Sequence, residues 1–401
     1  MWIIIFFMSG TNNHILFCKR CVISNQRPSS VVEFKNKTED IKPMIEFTEG
    51  VCSACLWEDE KKKIDWDQRK GELEALCNEY RKDDGTYDCI VPGSGGKDSA
   101  FTAHYLKYGM GMNPLTVTWA PHQYTEIGWK NFKSWIDIGG FDNILFHPNG
   151  KLHRKLTSLA FQNLGHPFQP FIIGQKLTGP RASLLYNIPL IFYGENQAEY
   201  GNNIEDNYKP TMDLSFFTTD SFLDSTIAGV PVNVLLDKYD VEMKDLTMYR
   251  PIEKERLENL GTKVHYLSYY TKWDPQEMFY YAAENTGFRP NPDRTQGTYS
   301  KYAGIDDVLE WLHFYMIFIK FGIGRATYDA SQEIRNQKIT RKEGIALVHK
   351  YDHEFPSQFL DDFLEYLNLD EENFFSTIDK FRNPNLWHKE KDSWVLKEQV
   401  N

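Results

Sequence analysis

The stretch YDCIVPGSGGKDSAFTAHYLK, residues 87–107, passes from apolar residues through three glycines into a helical pattern. A strand that turns through glycines into a helix presents free backbone N–H groups and the positive end of the helix dipole to an anion. Two common nucleotide-binding patterns fail here. Val91 stands at the first glycine of G-x4-G-K-S/T, and Asp98 stands at the third glycine of G-x-G-x-x-G. The stretch therefore predicts phosphate binding at a strand-to-helix turn of another type.

The remaining pattern, S-G-G-x-D-S, resembles the PP-loop of N-type ATP pyrophosphatases. Its members in this chain are Ser94, Gly95, Gly96, Lys97, Asp98 and Ser99. The two adjacent glycines let several N–H groups converge on a diphosphate, the serines add hydroxyl donors and the lysine adds charge. Asp98 is expected to cap the helix or to hold the loop. Such a loop suits departing pyrophosphate, which favours transfer of AMP to an oxygen over transfer of a γ-phosphate; an ordinary glycine-rich turn is the alternative.

The segments around this loop alternate between strand and helix patterns. Strands are predicted at 87–92, 114–119, 142–147, 189–194 and 263–269, with helices at 125–138, 150–164 and 172–187 among others. This alternation predicts an α/β fold with a doubly wound parallel sheet. From residue 290 onward the patterns predict helices only, including 305–320 and one that opens with the capping box Thr340 to Glu343. The expected domains are a leader (1–15), a zinc-binding module with four cysteines (16–64), the PP-loop domain (65–290) and a helical C-terminal domain (291–401).

Composition restricts the possible partners. The chain has 45 Lys and Arg against 56 Asp and Glu, a net charge of −11, which argues against a dedicated nucleic-acid binder. The apolar run Trp2–Met8 is too short to span a bilayer and lacks the basic flank of a signal peptide. We therefore expect no membrane insertion and a cytoplasmic protein.

Four of the six cysteines form two C-x2-C pairs, Cys18/Cys21 and Cys52/Cys55. Two such pairs supply four thiolates to one tetrahedral ion and leave no open position for catalysis, so the sequence predicts a structural Zn²⁺ site. A redox role for a single pair is the alternative. Cys77 and Cys89 stand alone and are expected in the core.

Other candidate residues follow from position. Ligands lie beyond the carboxyl ends of parallel strands, so Glu195 and Glu199 are candidates for Mg²⁺ on the ATP phosphates, with a solvated loop as the alternative. Lys272 follows the strand at 263–269, where PP-loop enzymes often carry a lysine that faces the phosphates. Lys97, Asp98 and Lys272 are thus the candidate catalytic residues.

The likeness extends beyond the loop. The runs CKRCVISNQRP (18–28), GVCSAC (50–55), 264–307 and FGIGRATYDASQEIRNQKITRKEGIALVHKYDHEFP (321–356) resemble the N-acetyl sugar amidotransferase family of bacterial surface-polysaccharide (LPS, O-antigen) biosynthesis. The resemblance implies that the acetamido group of a nucleotide-linked sugar becomes an acetamidino group through an O-adenylyl imidate. ATP and ammonia are the co-substrates. Ala100 departs from the pattern, because PP-loop proteins often have a further hydroxyl there.

The resemblance also implies partners and a sugar site. Ammonia would come from a separate glutaminase subunit similar to that of imidazole glycerol phosphate synthase, with its cyclase-like barrel as a further candidate subunit. The candidate sugar-binding residues are Arg289, Arg294, Tyr299, Lys301 and Arg325, with surface or interface charges as the alternative. Two other functions remain open: a PP-loop tRNA thiolation enzyme, which would need a basic face and a sulfur-carrying cysteine, and a non-catalytic zinc scaffold.

Overall fold

The computed structural model describes residues 14–28, 32–37, 44–195, 197–201, 208–391 and 393–401. The run Trp2–Met8 and most of the expected leader lie outside these residues. In the part of the chain that the structure describes, no helix combines the length and hydrophobicity needed to cross a membrane.

Residues 16–64, hereafter the cysteine segment, contain a short hairpin followed by a helix. The hairpin strands are β1 (Phe47–Thr48) and β2 (Val51–Cys52), and helix α1 (Ser53–Lys61) starts directly after Cys52. The segment has few apolar residues, and its small core is built around the four cysteines together with Ile23, Ile45 and Ile323. Packing around the cysteine cluster and against the C-terminal part of the chain therefore replaces the large apolar core that this segment lacks.

The centre of the molecule is an α/β unit. Its elements are α2 (Trp66–Tyr80), β3 (Cys89–Pro92), α3 (Lys97–His104), β4 (Pro114–Trp119), α4 (Glu126–Asp137), β5 (Asn143–Phe146), α5 (Gly150–Leu164), α6 (Gln169–Tyr186), β6 (Leu190–Tyr193), the short hairpin β7 (Thr226–Ile227) and β8 (Val230–Pro231), α7 (Val232–Lys238), α8 (Lys254–Leu260), β9 (Lys263–Tyr266) and α9 (Pro275–Thr286).

Five strands form one parallel sheet in the order β5-β4-β3-β6-β9. Its strands are short apolar runs because helices cover both faces, and β4 is buried along its whole length. The chain order reverses between β3 and β6, so the ends of these two central strands open onto a crevice. The doubly wound parallel fold predicted from the sequence is confirmed, and the glycine loop stands at the switch point.

The C-terminal part is mainly helical. It contains α10 (Val308–Phe321), α11 (Arg325–Arg335), α12 (Arg341–Tyr351), α13 (Leu360–Leu367) and α14 (Glu371–Lys380), followed by β10 (Trp387–Glu390) and β11 (Ser393–Leu396). The capping box of Thr340 and Glu343 is present at the start of α12. The prediction of helices only was wrong here, because β10 and β11 pair as an antiparallel hairpin. The buried Trp387 anchors this hairpin by donating its indole N–H to Ile319 O (2.7 Å).

A buried ion pair joins the cysteine segment to the sheet. Lys61 in α1 lies 3.0 Å from Glu199, which follows β6, and 2.9 Å from Glu58 one turn earlier in its own helix. All three side chains are at least 90% buried. Arg335 of α11 donates to the backbone oxygen of Glu199 (2.8 Å), and Arg341 of α12 donates to the carbonyls of Cys18 and Cys21. The segment is thus held between the end of β6 and the C-terminal helices.

Removing Lys61 tests this attachment. In Lys61→Met the carboxylates of Glu58 and Glu199 remain buried without their cation, so we expect the free energy of unfolding to fall by about 3–5 kcal/mol. Urea unfolding followed by circular dichroism measures the change. The matched control is Lys63→Met, because Lys63 pairs with Glu60 on the exposed side of the same helix end. Equal stability of the two variants would contradict the assigned role of Lys61.

Candidate active site at the glycine loop

The glycine loop connects the buried strand β3 to helix α3. The hydroxyl of Ser99, in the first turn of α3, accepts from Gly95 N–H (3.3 Å) and donates to Gly96 O (3.0 Å). A side chain on Gly93 would collide with Ser99, since an added Cβ would lie 2.2 Å from its Cβ. The Ser99 hydroxyl therefore holds the loop together through these two hydrogen bonds. The sequence predicts, in addition, that this hydroxyl donates a hydrogen bond to a bound phosphate.

Gly95 carries the strained conformation of the turn. Its φ is +84°, a region that residues with a side chain rarely adopt, and an added Cβ would lie 2.8 Å from the Cα of Phe132 in α4. Gly96 has an ordinary φ of −65°, and the nearest atom to an added Cβ is Ser94 Oγ at 3.6 Å. The two glycines thus serve different needs: Gly95 makes the turn, and Gly96 leaves room in front of the helix.

The two charged residues of the loop bind each other. Lys97 Nζ lies 2.5 Å from Asp98 Oδ2, and the other carboxylate oxygen, Asp98 Oδ1, is buried with no hydrogen-bond partner among the described residues. Of the two roles expected for Asp98, capping of the helix is wrong, because the N-cap is Gly96, which has no side chain to accept from the helix amides. Asp98 sits one residue inside the helix, and its unpaired oxygen belongs to the wall of the crevice.

Glu195 reaches the same crevice from the end of β6. Tyr200 donates its hydroxyl proton to Glu195 Oε1 (2.6 Å), and Glu195 Oε2 is buried without a partner among the described residues. Burial, together with the neighbouring charge of Asp98, raises the pKa of the Glu195 carboxyl to about 7. Two carboxylates therefore face each other beside the loop, each with one unsatisfied oxygen.

The C-terminal part supplies the opposite wall. Residues 305–308 run alongside 123–125 at the end of β4, with hydrogen bonds from Thr125 N–H to Asp306 O (3.2 Å) and from Val308 N–H to Gln123 O (3.0 Å). Asp307 accepts from the backbone and ring of His122 and caps α10, so its role is structural. Asp306 and Glu310 line the crevice together with Asp307 and have no capping role. Burial raises the pKa of both carboxyls, that of Glu310 to about 8.

The resulting cavity has a volume of about 540 Å³. Its wall combines the glycine loop, an apolar part formed by Val117, Trp119, Phe168 and Phe171, and a group of carboxylates. The carboxylates are those of Asp274, Asp306, Glu310, Asp329 and Glu333, and Asp306 reaches the loop itself, where it hydrogen-bonds Ser94. A second chamber of about 410 Å³ adjoins the loop and shares Ser94, Gly96 and Glu195 with the main cavity.

The structure places the other predicted site residues as follows. Arg325 lines the cavity, where it pairs with Asp329 (3.0 Å). Glu199 is engaged in the ion pair with Lys61, away from the cavity wall. Four further candidates also lie outside the residues that line the cavity: the exposed Lys272, Arg289 and Lys301, and Arg294, which pairs with Glu354 (2.7 Å). Tyr299 donates to Glu333 (2.8 Å) from behind the cavity wall.

Arg27, Asp306 and Glu310 are among the cavity residues that the sequence did not single out. The doublet Asp306-Asp307 before an apolar helix has the pattern of a helix cap, and Asp307 has that role. Arg27 and Asp306 lie in the runs 18–28 and 264–307 that resemble the amidotransferase family, and this likeness is the signal that could have identified them. Glu310 lies outside those runs, and its place in the cavity depends on contacts with distant parts of the chain.

The four paired cysteines converge on one point, as the spacing predicted. Their sulfur atoms lie within 4.8 Å of one another, with Cys21 Sγ to Cys52 Sγ at 3.6 Å and Cys18 Sγ to Cys55 Sγ at 3.9 Å. A tetrahedral ion with metal–sulfur bonds of about 2.3 Å places its sulfur ligands about 3.8 Å apart. The donor set therefore fits one tetrahedral metal ion. Cys77 and Cys89 are fully buried elsewhere, and burial raises the pKa of both thiols, that of Cys77 to about 11.

The parallel sheet and the S-G-G-x-D-S loop at its switch point define the class of fold: the chain has a PP-loop fold. Residues 296–401 match the family model described as LPS biosynthesis protein WbpG-like, C-terminal domain. The resemblance to surface-polysaccharide proteins is thereby confirmed for this part of the chain. No curated protein sequence matches the chain.

Solved structures similar to this chain include three with low overall superposition. NMN synthetase from Francisella tularensis is 11% identical, with 69% of this chain and 94% of that chain covered and a TM-score of 0.28. The U34-tRNA thiolase NcsA from Methanococcus maripaludis with its 4Fe-4S cluster is 13% identical (75% and 86% covered, TM-score 0.29). NAD+ synthetase from Burkholderia pseudomallei is 14% identical (56% and 89% covered, TM-score 0.23).

The different needs of the two loop glycines can be tested by stability alone. Gly95→Ala forces a side chain into a left-handed conformation and against the backbone of α4, so we expect a loss of at least about 1–2 kcal/mol and a lower Tm. Gly96→Ala has an allowed φ and free space, and we expect its Tm to equal that of the parent. Thermal unfolding by circular dichroism measures both. A Gly95→Ala protein as stable as Gly96→Ala would show that the turn is not under this constraint.

Proposed function

We propose that this protein is an ATP-dependent amidotransferase that converts the N-acetyl group of a nucleotide-linked bacterial sugar into an acetamidino group, with ammonia from a partner glutaminase. The observation that carries the proposal is that the S-G-G-x-D-S loop and a group of buried carboxylates line one cavity. Both sets of residues surround the same space of about 540 Å³. That volume falls in the range of pockets that hold small ligands.

The glycine loop and the apolar part of the cavity wall fit ATP. The N–H groups at the start of α3 and the side chain of Lys97 are placed to bind the phosphates. Trp119, Phe168 and Phe171 offer an apolar wall of the size and chemistry that a purine needs. In this arrangement the amide oxygen of the sugar attacks the α-phosphorus. The bond from that phosphorus to the bridging oxygen breaks, and pyrophosphate departs beside the glycine loop.

The carboxylates of the cavity wall suit the second step of the proposed reaction, the attack of ammonia. Ammonia adds to the carbon of the O-adenylyl imidate, and AMP leaves with the former amide oxygen. The reaction starts from a neutral amide and ends with an amidinium cation, so positive charge develops where the sugar's acetamido group lies. Carboxylates such as those of Glu310 and Asp306 stabilise that charge in a partly desolvated cavity.

The described residues also suit the two metal ions that the proposal involves, Mg²⁺ at the ATP phosphates and Zn²⁺ at the paired cysteines. Asp98 and Glu195 each keep one unsatisfied carboxylate oxygen next to the loop, and Mg²⁺ prefers one or two carboxylates plus phosphate oxygens. Mg²⁺ held there would neutralise the phosphate charge. Zn²⁺ is the ion that suits the four closed thiolate ligands Cys18, Cys21, Cys52 and Cys55, with a structural role only.

Two features favour this function over tRNA thiolation. No cysteine lines the cavity in the described part of the chain, since Cys77 and Cys89 are enclosed in the core. The chain is also strongly acidic, with a net charge of −11, whereas tRNA binding requires a basic face. The proposal accordingly gives the glutaminase step, which needs a nucleophilic cysteine, to a separate subunit.

The experiment that tests the function is an assay of pyrophosphate release. With ATP, Mg²⁺, ammonium and a panel of UDP- and CMP-linked N-acetyl sugars, we expect release with at least one sugar and a product in which NH replaces one oxygen, read by mass spectrometry. Asp98→Asn should lower the release at least about 100-fold with the metal content unchanged. Lys272→Ala, outside the cavity, is the matched control. Release with tRNA but with no sugar would favour the thiolation enzyme instead.

The buried carboxyl of Glu310 predicts that the reaction rate depends on pH. Burial and the nearby Asp306 raise the pKa of the Glu310 carboxyl to about 8, so Glu310 is neutral below this pH and negatively charged above it. We expect the rate to rise through about pH 8, and Glu310→Gln to remove this rise. The concentration of neutral ammonia must be held constant across the series, because ammonium itself titrates nearby. An unchanged profile in the glutamine variant would exclude Glu310 as the titrating group.

A further inference from the structure

Among its described residues, the cysteine segment contributes one residue to the cavity wall, Arg27. Arg27 lines both the main cavity and the second chamber, and so do Ser94, Gly96 and Asp98 of the glycine loop. It lies between the two C-x2-C pairs in the sequence, and its backbone oxygen accepts from Ile45 N–H (3.0 Å), which ties it to the small core around the cysteines. The position of this arginine therefore depends on the folded cysteine segment.

The guanidinium group of Arg27 lies between aromatic rings and keeps one buried nitrogen without an acceptor among the described residues. Its carbon lies 5.7 Å from the ring centre of Tyr200 and 5.5 Å from that of Tyr328, so two aromatic rings from different segments fix its position. The Nη1 atom is buried, and no hydrogen-bond partner for it lies among the described residues. Burying a donor of a charged group without an acceptor is costly, and an arginine held in this way is prepared for an anion.

The other cations of the main cavity already have partners. Lys97 pairs with Asp98 (2.5 Å), Arg325 with Asp329 (3.0 Å) and Lys338 with Asp274 (3.3 Å). Within the described ranges, Arg27 is the cavity-lining lysine or arginine that has no ion-pair partner. For a ligand with several negative charges at the glycine loop, the available positive charge that no carboxylate neutralises is therefore that of Arg27, on the cysteine segment.

We infer that Arg27 is a phosphate-binding residue of the ATP site, supplied by the cysteine segment and directed at the β- and γ-phosphates that leave as pyrophosphate. This inference rests on the proposed function, because it takes ATP as the ligand of the loop. Lys176 also lines the second chamber, as Arg27 and Ser99 do. The metal site thus has a functional consequence: it positions a ligand-binding arginine as well as stabilising its own segment.

Binding measurements on the full chain test the inference without relying on turnover. Isothermal titration with ATP and Mg²⁺, with inorganic pyrophosphate, with AMP and with UDP-N-acetylglucosamine is compared for the parent, Arg27→Ala, Arg27→Lys and Arg20→Ala. Arg20 is the matched control, because it belongs to the same segment but pairs with Asp59 at the surface. Metal content and circular dichroism establish that each variant is folded, and Arg27→Lys keeps the charge should the alanine variant fail to fold.

We expect Arg27→Ala to weaken the binding of ATP and of pyrophosphate about tenfold or more and to change that of AMP less than about threefold. Arg27→Lys should lie between the parent and the alanine variant, and Arg20→Ala should match the parent. Unchanged affinity for ATP in folded Arg27→Ala would overturn the inference and leave the proposed function standing. A loss confined to UDP-N-acetylglucosamine would overturn it too, because the arginine would then bind the sugar's diphosphate. A parent protein that binds no ATP would overturn both proposals.

Discussion

The turn at Gly95 is the constraint on which the site depends. With φ at +84° and the backbone of Phe132 close by, the chain leaves β3 in a direction that only glycine permits without strain. The Ser99 hydroxyl then closes the turn on itself and sets the start of α3. This start lies at the switch point of the sheet, so the N-terminal amides of the helix, the end of β6 and the end of β4 face one crevice.

Distant parts of the chain complete that crevice, and a buried ion pair and backbone hydrogen bonds hold them in place. The Lys61–Glu199 pair attaches the cysteine segment to the residues after β6, and the same short stretch carries Glu195 and Tyr200 into the site. On the other side, residues 305–308 pair with 123–125 and bring Asp306 and Glu310 to the end of β4. A buried ion pair is costly to desolvate, so it contributes little net stability while fixing one arrangement of the segments. Fixed geometry is what the proposed two-step reaction in this cavity requires.

Much of the central fold could be predicted from the sequence, because its signals are local. Buried parallel strands read as short apolar runs, so β4 was predicted with its observed limits, and the spacing of the cysteines anticipated their cluster. The hairpin of β10 and β11 was missed, since a four-residue strand such as Trp387–Glu390 carries too little pattern to distinguish it from a loop. The carboxylates of the cavity wall were not predicted, for a different reason. The sequence pattern of an aspartate before an apolar helix is the same whether the side chain caps the helix, as that of Asp307 does, or lines a cavity without capping, as that of Asp306 does.

The proposed function requires an acidic protein to bind a substrate as anionic as ATP. Carboxylates near a phosphate site are unfavourable unless a cation separates them from the phosphates, and Asp98 and Glu195 retain the unsatisfied oxygens that such a cation needs. Burial raises the pKa of the Glu310 carboxyl to about 8, so this carboxyl is largely neutral at about pH 7 and would repel the phosphates little before reaction. In the proposed second step, a cation forming at the acetamido carbon would favour ionisation of Glu310. Glu310 would then oppose ATP binding least in the ground state and act most strongly where positive charge develops, which is the condition for stabilising that step selectively.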